Sequence, residues 1–354
     1  MQGEQNLPKS PIPLRTKAMH ILLFHDSKLP PPNYGGIERI VVTLAEEYSK
    51  RGHRVSVLCR PGSKLNGSAV VELPMGWKGG DIEKLIPSDV DFIHSHQPLT
   101  DEPKKPYLVT IHGNGHENEK YFANTNFLSQ SHARNHSSNI FVFNGVDPER
   151  YTFVAKKEDY FIFLARTTWR VKNLKTVISW ANDLKVKLKI IGGNGISRGL
   201  IEYVGFVSDA VKNKILGGAK ALVYPTNWDE PCAGAPLEAL ACGTPVISTR
   251  NGCMPEMVLD GKTGITCTTY GELLSAMDKV SNINPKDCRE AVEKYFSVSR
   301  MATDYLSLFE KIISDGPLVD KDHLPHYNFK KESVRFLYKP TLVNQARLLM
   351  TGKI

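Results

Sequence analysis

Short apolar runs alternate with helix-like segments along most of the chain. The runs are rich in Val, Ile, Leu and Phe, and helical spacing of apolar positions follows each one. Near-continuous apolar strands that alternate with helices are typical of parallel sheets covered on both faces. The strand candidates are residues 19–25, 54–59, 91–96, 107–113 and 139–145, and then 160–166, 187–193, 202–206, 221–226 and 244–249.

A break near residues 147–159 divides these candidates into two runs. The pattern therefore predicts an α/β protein of two Rossmann-like, doubly wound domains that face a central cleft. A length of 354 residues fits two domains. We place the N-terminal domain at 19–153 and the C-terminal domain at 154–316, closed by a helix over 299–316.

The two chain ends differ in composition from these domains. Residues 1–18 predict a disordered leader before a natural start at Met19. The tail, 317–354, carries seven Lys or Arg against three acids, and one short helix is predicted within it, roughly TLVNQARLLM. Two roles remain open for this tail: it packs back on the N-terminal domain, or it docks on an anionic membrane.

Composition narrows the class of protein. A hydrophobic content of 41% with 23% charged residues is ordinary for a soluble globular chain. No apolar run reaches the ~18 residues that a spanning helix needs, and six cysteines without a CxxC pair predict reduced thiols. We therefore expect a cytoplasmic protein, with peripheral association at the inner face of a membrane as a further expectation. The net charge of +8 favours anionic partners, such as nucleotides, phosphates, nucleic acid or a membrane surface.

Glycines and polar residues gather where the strand candidates end. In open α/β sheets, ligands bind at the carboxyl ends of the strands. Seven such positions from both halves of the chain fall on that edge, which predicts a ligand site there. They are Gly35–Gly36, His112, Asn144, Arg166, Gly192–Gly193, Gly205 and Glu230.

The segment DEPCAGAPLEALACG, residues 229–243, joins two acids to a loop of small residues. Glu230 precedes Cys232, Ala233, Gly234 and Ala235, and Glu238 follows in a predicted helix. Backbone N–H groups at a helix start form an anion site, and small residues let a phosphate approach the backbone. The carboxylates would then accept hydrogen bonds from sugar hydroxyls. Alternatively, Glu238 is only an acid favoured in the first helical turn.

The same segment resembles the E-x7-E motif of the retaining glycosyltransferases of family 4, which have the GT-B fold. Four further segments between roughly residues 19 and 313 resemble turns of that family: PPNYGGIER, FNGVD, KIIGGNG and YVGFVSD. The resemblance implies an enzyme that moves a sugar from a nucleoside diphosphate sugar to an acceptor hydroxyl with retention of configuration. It implies neither a cofactor nor a metal.

The resemblance also assigns roles to individual residues. Glu230 would contact the donor sugar and Glu238 the ribose, while Arg166 and Lys172 would meet the diphosphate, with Arg170 as a substitute for either. His112 would lie near the donor sugar. The remaining donor-binding set is Gly35, Gly36, Asn144, Gly193, Cys232, Ala233, Gly234 and Ala235. Alternatively, Arg166 and Lys172 are ordinary surface cations, and His112 is a histidine packed at the end of a strand.

The sequence fits more than one donor, acceptor and reaction class. A UDP-sugar is favoured over a GDP-sugar, and the acceptor would be a glycan or a lipid-linked molecule in glycan, cell-surface polysaccharide or glycolipid synthesis. A sugar-nucleotide epimerase of the same fold is the main alternative. A nucleic-acid-binding protein fits the charge, but the basic residues are spread along the chain and no nucleic-acid-binding module is recognisable.

Two patterns could suggest a metal. Asp89 and Asp91 form a D-x-D, but they open a strand and so fall at the edge opposite the ligands. His94, His96, His112 and His116 could suggest zinc. No cysteine accompanies them, and the GNG between the last two argues against a helix that presents both. The sequence therefore predicts no metal site.

Overall fold

A computed structural model describes residues 17–31 and 35–328 of the protein. These residues form two compact units. The N-terminal unit contains the described residues up to 147 together with 294–328, and the C-terminal unit contains 148–293. No helix among the described residues is both long enough and apolar enough to cross a membrane.

Strands and helices alternate in both units. The strands are β1 (His20–Phe24), β2 (Arg54–Cys59), β3 (Ala69–Glu72), β4 (Phe92–Ser95), β5 (Tyr107–Thr110), β6 (Thr125–Asn126), β7 (Phe161–Leu164), β8 (Leu188–Ile191), β9 (Ile201–Gly205), β10 (Leu222–Tyr224), β11 (Val246–Thr249) and β12 (Gly264–Cys267). The helices are α1 (Gly36–Lys50), α2 (Gln130–Asn135), α3 (Leu174–Leu184), α4 (Asp209–Gly218), α5 (Gly234–Ala241), α6 (Met254–Met257), α7 (Tyr270–Val280), α8 (Pro285–Tyr295) and α9 (Val298–Asp315).

Each unit is built on a parallel sheet, and the two sheets share one topology. Over the described residues the strand orders are β3-β2-β1-β4-β5-β6 and β12-β11-β10-β7-β8-β9. Counted from the first strand of each sheet, both follow the order 3-2-1-4-5-6. The order reverses between β1 and β4 and between β7 and β10, and such switch points open the crevice in which doubly wound folds bind ligands. The predicted pair of doubly wound sheets is confirmed.

Helices of the N-terminal unit pack into its core through their apolar faces. Strand β1 is buried along its whole length. Helix α1 buries Val41, Leu44, Ala45 and Tyr48, whose spacing of three and four residues places them on one face. Helix α9 joins the same core. Sequence placed this last helix in the C-terminal domain, and that placement was wrong: the helix begins at Val298 and its apolar face packs on the N-terminal sheet.

The beginning of the basic tail also belongs to the N-terminal unit. The Leu318 N–H donates to Asn124 Oδ1 at 2.9 Å, and the Tyr121 N–H donates to the Pro325 carbonyl at 2.9 Å. Residues 317–328 therefore pack back on this unit. The rest of the tail, with its predicted short helix, and residues 1–16 of the predicted leader lie outside the described residues.

A buried tryptophan links helices and sheet in the C-terminal unit. Trp180 on α3 packs edge-on against Phe161 of β7, and its Nε1 donates to the Leu273 carbonyl on α7 at 2.9 Å. This residue thereby connects α3 to both β7 and α7.

Strand predictions failed mainly at the sheet edges. Strands β3, β6 and β12 were not predicted, and each is a short edge strand without a continuous apolar run. The candidate at 139–145 is not a strand, since it makes a single parallel bridge between Phe127 and Phe141. The other nine candidates coincide with strands.

Candidate active site

The carboxyl ends of β7 and β10 bring together residues far apart in sequence. The chain leaves β7 through a short 3-10 turn, Arg170–Lys172, and leaves β10 through the loop that carries Glu230. The two loops are joined by backbone, because the Asn227 N–H donates to the Val171 carbonyl at 2.7 Å. The site is thus positioned at the switch point of the C-terminal sheet.

Lys172 and Glu230 form a buried ion pair at this point. Their side chains are in direct contact, and only 7% of Lys172 and 3% of Glu230 is exposed. Lys172 Nζ also donates to the Tyr224 hydroxyl at 2.7 Å. The alternative reading of Lys172 as a surface cation is therefore wrong. A buried charge is retained only when it is paired, so this pair is internally neutralised.

Glu230 is held from several directions. Its Oε1 accepts hydrogen bonds from Lys172, from the Tyr224 hydroxyl at 3.1 Å and from Thr226 Oγ1 at 2.8 Å. Its carbonyl accepts from the Cys253 N–H at 2.8 Å. Tyr224 and Thr226 were not predicted as site residues, although both lie in ALVYPT, at the end of a strand candidate, where ligand-edge residues are expected.

Aromatic rings surround the Lys172 ammonium. Nζ lies 5.3 Å from the ring centroid of Trp169 and 4.9 Å from that of Trp228, and it meets Tyr224 through the hydroxyl. A cation over an aromatic face is attracted by the ring quadrupole, more so where water is excluded. The two tryptophan rings therefore help to hold the ammonium in one place. Neither tryptophan was predicted as a site residue.

Glu238 lies deeper in its helix than predicted. Helix α5 begins at Gly234 with Ala233 as its N-cap, so Glu238 is its fifth residue. The reading of Glu238 as a first-turn acid is therefore wrong. Its Oε2 lies 2.8 Å from Lys212 Nζ on α4, and Lys212 also pairs with Asp209 at 3.1 Å. Burial opposes the charge of Lys212, but the two carboxylates raise the pKa of its ammonium above the usual value.

The loop before α5 leaves room for a ligand at one glycine. A Cβ added at Gly234 would meet nothing within 4 Å. Ala233 and Pro236 are buried beside it, while Cys232 is half-buried with its Sγ 4.0 Å from Met257 Sδ. Ala235 follows Gly234 in the first turn of α5. Free N–H groups at this helix start can face an anion.

The other predicted site residues of this unit are two arginines and a glycine. Arg166 and Arg170 are exposed, and neither guanidinium pairs with a carboxylate of residues 17–31 or 35–328. Gly193 follows β8, and an added Cβ there would lie 1.7 Å from Thr167 Oγ1. Gly193 is therefore required by packing against the loop that carries Arg166.

His112 follows β5 of the N-terminal unit and contacts a second histidine. Its Nε2 lies 3.0 Å from Nδ1 of His96, which follows β4. Burial, together with nearby His25, lowers the pKa of His112 to about 3. Burial and the neighbouring histidines also hold the pKa of His96 well below its usual value. His112 is thus a neutral ring at neutral pH, able to exchange hydrogen bonds but carrying no charge.

Three further predicted residues lie in the N-terminal unit. Helix α1 begins at Gly36, where an added Cβ would meet nothing within 4 Å, whereas one at Gly35 would lie 2.7 Å from Glu38 Oε2. The side-chain Oδ1 of Asn144 is buried and accepts no hydrogen bond from the described residues. Gly36 and Asn144 therefore leave space and an acceptor for a ligand.

Two sequence patterns could suggest a metal ion, the D-x-D of Asp89 and Asp91 and the group of histidines. Asp91 accepts a hydrogen bond from the N–H of His20, at the amino end of β1, and Asp89 pairs with Arg54 at the start of β2. The D-x-D therefore lies at the edge of the sheet opposite His112. Within the described part of the chain, no three His, Cys, Asp or Glu side chains are grouped to hold a metal ion.

Family models match both units of the chain. The model described as "Glycosyl transferases group 1" covers residues 148–295, and that described as "Glycosyltransferase Family 4" covers residues 34–150. The chain belongs to the group 1, family 4 glycosyltransferases. The E-x7-E pair with its two lysines lies within the group 1 region, and Gly35, Gly36, His112 and Asn144 lie within the family 4 region.

Known proteins resemble the chain over different lengths. Spore coat protein SA of Bacillus subtilis (strain 168) is 28% identical over 121 residues, which cover 31% of this chain and 32% of that protein. The chain thus spans only about a third of this curated relative. AviGT4, a glycosyltransferase involved in avilamycin A biosynthesis, superposes with a TM-score of 0.68 at 21% identity, covering 84% of this chain and 98% of AviGT4.

A further solved structure contains a nucleotide sugar. Alr3699/HepE of Anabaena, in complex with UDP-glucose, superposes with a TM-score of 0.61 at 14% identity and covers 84% of this chain and all of that one. At such identities these similarities establish the GT-B fold alone.

Proposed function

We propose that this glycosyltransferase moves a sugar from a nucleoside diphosphate sugar to an acceptor hydroxyl, with retention of the anomeric configuration. The observation that carries the proposal is the contact between Lys172 and Glu230. The family resemblance assigns one to the diphosphate and the other to the sugar, and the fold brings them together at a switch point from positions 58 residues apart.

The C-terminal unit would bind the donor. Lys172, the exposed Arg166 and the N–H groups at the start of α5 would meet the diphosphate, with Gly234 leaving space for a phosphate oxygen. Glu230 would accept hydrogen bonds from the sugar, and Glu238 from the ribose. Each carboxylate is already paired with a lysine before a ligand binds.

The N-terminal unit would contribute contacts from the ends of its strands. His112 stays neutral because burial lowers the pKa of its ring to about 3. It would therefore exchange a hydrogen bond with the donor sugar and would not act as a general acid. The open space at Gly36 would accommodate another part of the ligands, and the unpaired Oδ1 of Asn144 would accept a hydrogen bond from them.

In the chemical step, the bond between the sugar C1 and the β-phosphate oxygen breaks while the acceptor oxygen bonds to C1 from the same face. The acceptor proton moves to the departing phosphate oxygen, so atoms and charge balance without a protein base. Negative charge grows on the diphosphate as the bond breaks. Arg166, Lys172 and the α5 amides are fixed positive groups aimed at that charge.

We propose that this step needs no divalent cation. A cation would require free carboxylates at the ligand edge. The two acids of the E-x7-E motif at that edge are already paired, Glu230 with Lys172 and Glu238 with Lys212. The Asp89–Asp91 pair lies at the other edge of its own sheet.

For the substrates, we propose a UDP-sugar as donor and a glycan or lipid-linked acceptor. The complex of Alr3699/HepE with UDP-glucose supports the base and sugar class. We also propose action in the cytoplasm, at an anionic membrane surface that the net charge of +8 would favour. Flotation with anionic and neutral liposomes at low salt tests this location, and failure to float with either would exclude it.

The proposed function is tested by a thermal-shift panel that compares UDP, GDP and ADP with their hexose conjugates. A ligand that binds only the folded state raises the unfolding temperature. We expect at least one nucleotide sugar to stabilise wild type, and Glu230→Gln to lose the difference between that sugar and its bare nucleotide. Glu290→Gln, an exposed change in the same unit, is the matched control. No stabilisation by any nucleotide would contradict the proposal, and isomerisation of the sugar by enzyme alone would favour the epimerase.

A further inference from the structure

One hydroxyl lies between the two charged members of the site. The Tyr224 oxygen accepts from Lys172 Nζ at 2.7 Å and donates to Glu230 Oε1 at 3.1 Å. Resting on the function proposed above, we propose that Tyr224 is a positioning residue for glycosyl transfer: its hydroxyl fixes which carboxylate oxygen and which ammonium proton are left for the donor.

The hydrogen bonds of Glu230 are distributed unequally between its oxygens. Oε1 accepts from Lys172, Tyr224 and Thr226, whereas Oε2 accepts from none of the described residues. A carboxylate has about four acceptor positions, and three bonds on one oxygen saturate it. Only Oε2 is therefore left for a sugar hydroxyl.

The three N–H donors of the Lys172 ammonium are likewise only partly used. One goes to Glu230 and one to Tyr224. Within the described part of the chain the third has no acceptor. Aromatic rings of Trp169 and Trp228 occupy other directions around the nitrogen. One donor is thus left for a phosphate oxygen.

The hydroxyl of Tyr224 is needed because the terminal torsion of a glutamate is soft. Rotation about χ3 is broad and roughly two-fold, so Lys172 alone would hold Oε1 and Oε2 almost equally well. Tyr224 and Thr226 come from β10 and the residues just after it, and a strand holds its side chains more rigidly than a loop does. Together they select one rotamer of Glu230.

Loss of the Tyr224 hydroxyl should therefore slow turnover more than it weakens donor binding. A misplaced reacting geometry costs on the order of 10²-fold in rate. We expect Tyr224→Phe to lower kcat by about 10- to 100-fold, with KM for the nucleotide sugar changed by less than about threefold. The phenyl ring keeps the packing and removes only the hydroxyl. Thr226→Val should act in the same direction, and Thr226→Ser, which keeps a hydroxyl, should restore most of the rate.

A double-mutant cycle with Glu230→Gln tests this role, with release of the nucleoside diphosphate from UDP-glucose, or from the UDP- or GDP-hexose that wild type uses best, as the readout. If Tyr224 acts through Glu230, Tyr224→Phe should cost little in the Glu230→Gln background. Tyr160→Phe is the matched control, because that buried tyrosine donates to the Ile215 carbonyl at 2.8 Å in the same unit.

Three results would contradict the inference. If Tyr224→Phe has the rate of wild type, or slows both backgrounds equally, Tyr224 does not position Glu230. If Tyr160→Phe is slowed as much as Tyr224→Phe, the effect is one of general packing. A wild type that releases nucleotide from no donor would instead overturn the proposed function, and this is visible before any Tyr224 variant is compared.

Discussion

The Lys212 ammonium lies 2.8 Å from Glu238 Oε2, so both acids of the E-x7-E motif are paired with a lysine from another element. Lys172 reaches Glu230 from the loop after β7, and Lys212 reaches Glu238 from α4. Both acids are thereby charge-paired before a ligand binds. The motif works as two charge pairs on either side of the start of α5.

Glu238→Ala should weaken nucleotide binding without unfolding the protein. Lys212 keeps Asp209 as a partner, so no uncompensated charge is left buried. A hydrogen bond to a charged group contributes about 1.5–3 kcal/mol, which corresponds to a loss of affinity of about 10- to 150-fold. Calorimetric titration with UDP, with Glu290→Ala as the control, measures this. Unchanged affinity would show that Glu238 does not contact the ribose.

Lys172→Met should destabilise the fold as well as reduce activity. Glu230 would be left as an unpaired buried charge, and breaking one side of a buried pair typically costs about 3–5 kcal/mol. The double variant Lys172→Met with Glu230→Gln should regain part of that loss, because the second change removes the charge. Urea unfolding measures both. Lys220→Met, which breaks an exposed pair with Asp159, should leave the midpoint unchanged, and an equal effect of the two single variants would contradict this account.

Two glycines near Glu230 should respond in opposite ways to substitution by alanine. At Gly252, where φ is +57°, an added Cβ would lie 2.2 Å from the Glu230 N, so Gly252→Ala should lower the unfolding temperature. At Gly234 the space is empty, so Gly234→Ala should fold normally and lose affinity for the donor diphosphate. Thermal unfolding combined with UDP binding separates the two. Full UDP affinity in Gly234→Ala would show that no phosphate approaches there.

Much of this architecture could be predicted from the sequence, because buried parallel strands consist of near-continuous apolar runs. The E-x7-E segment was recognisable for a similar reason, since its spacing and small residues are local. The lysine partners could not be predicted: whether Lys172 is buried depends on Tyr224 and Glu230, which are brought to it only by the sheet order. The position of α9 was missed because the helix follows the C-terminal strands in sequence, and only its packing assigns it to the N-terminal core.

Buried histidines should make the N-terminal unit sensitive to acid. Burial lowers the pKa of His132 to about 3 and of His136 to about 4, whereas an unfolded histidine titrates near 6.5. Between these values the unfolded state binds more protons, so stability is complete above about pH 6.5 and falls as the pH drops towards 4. Each histidine contributes a slope of up to about 1.4 kcal/mol per pH unit.

Unfolding by urea at pH 7 and pH 5 checks this expectation. His136→Phe should reduce the dependence on pH, because one protonation site is removed from the unfolded state. His323→Phe, at an exposed histidine, is the control. Equal stability of wild type at both values would show that the buried rings are not neutral.

The central claim is that cations of the protein, and no metal, meet the departing diphosphate. The most direct measurement is nucleotide release during sugar transfer, with and without EDTA, in wild type, Arg166→Ala and Lys220→Ala. We predict that EDTA leaves wild-type activity nearly intact and that Arg166→Ala lowers turnover by about 10²- to 10³-fold, while Lys220→Ala matches wild type. Loss of activity on chelation that Mg²⁺ or Mn²⁺ restores, or full activity of Arg166→Ala, would contradict the claim.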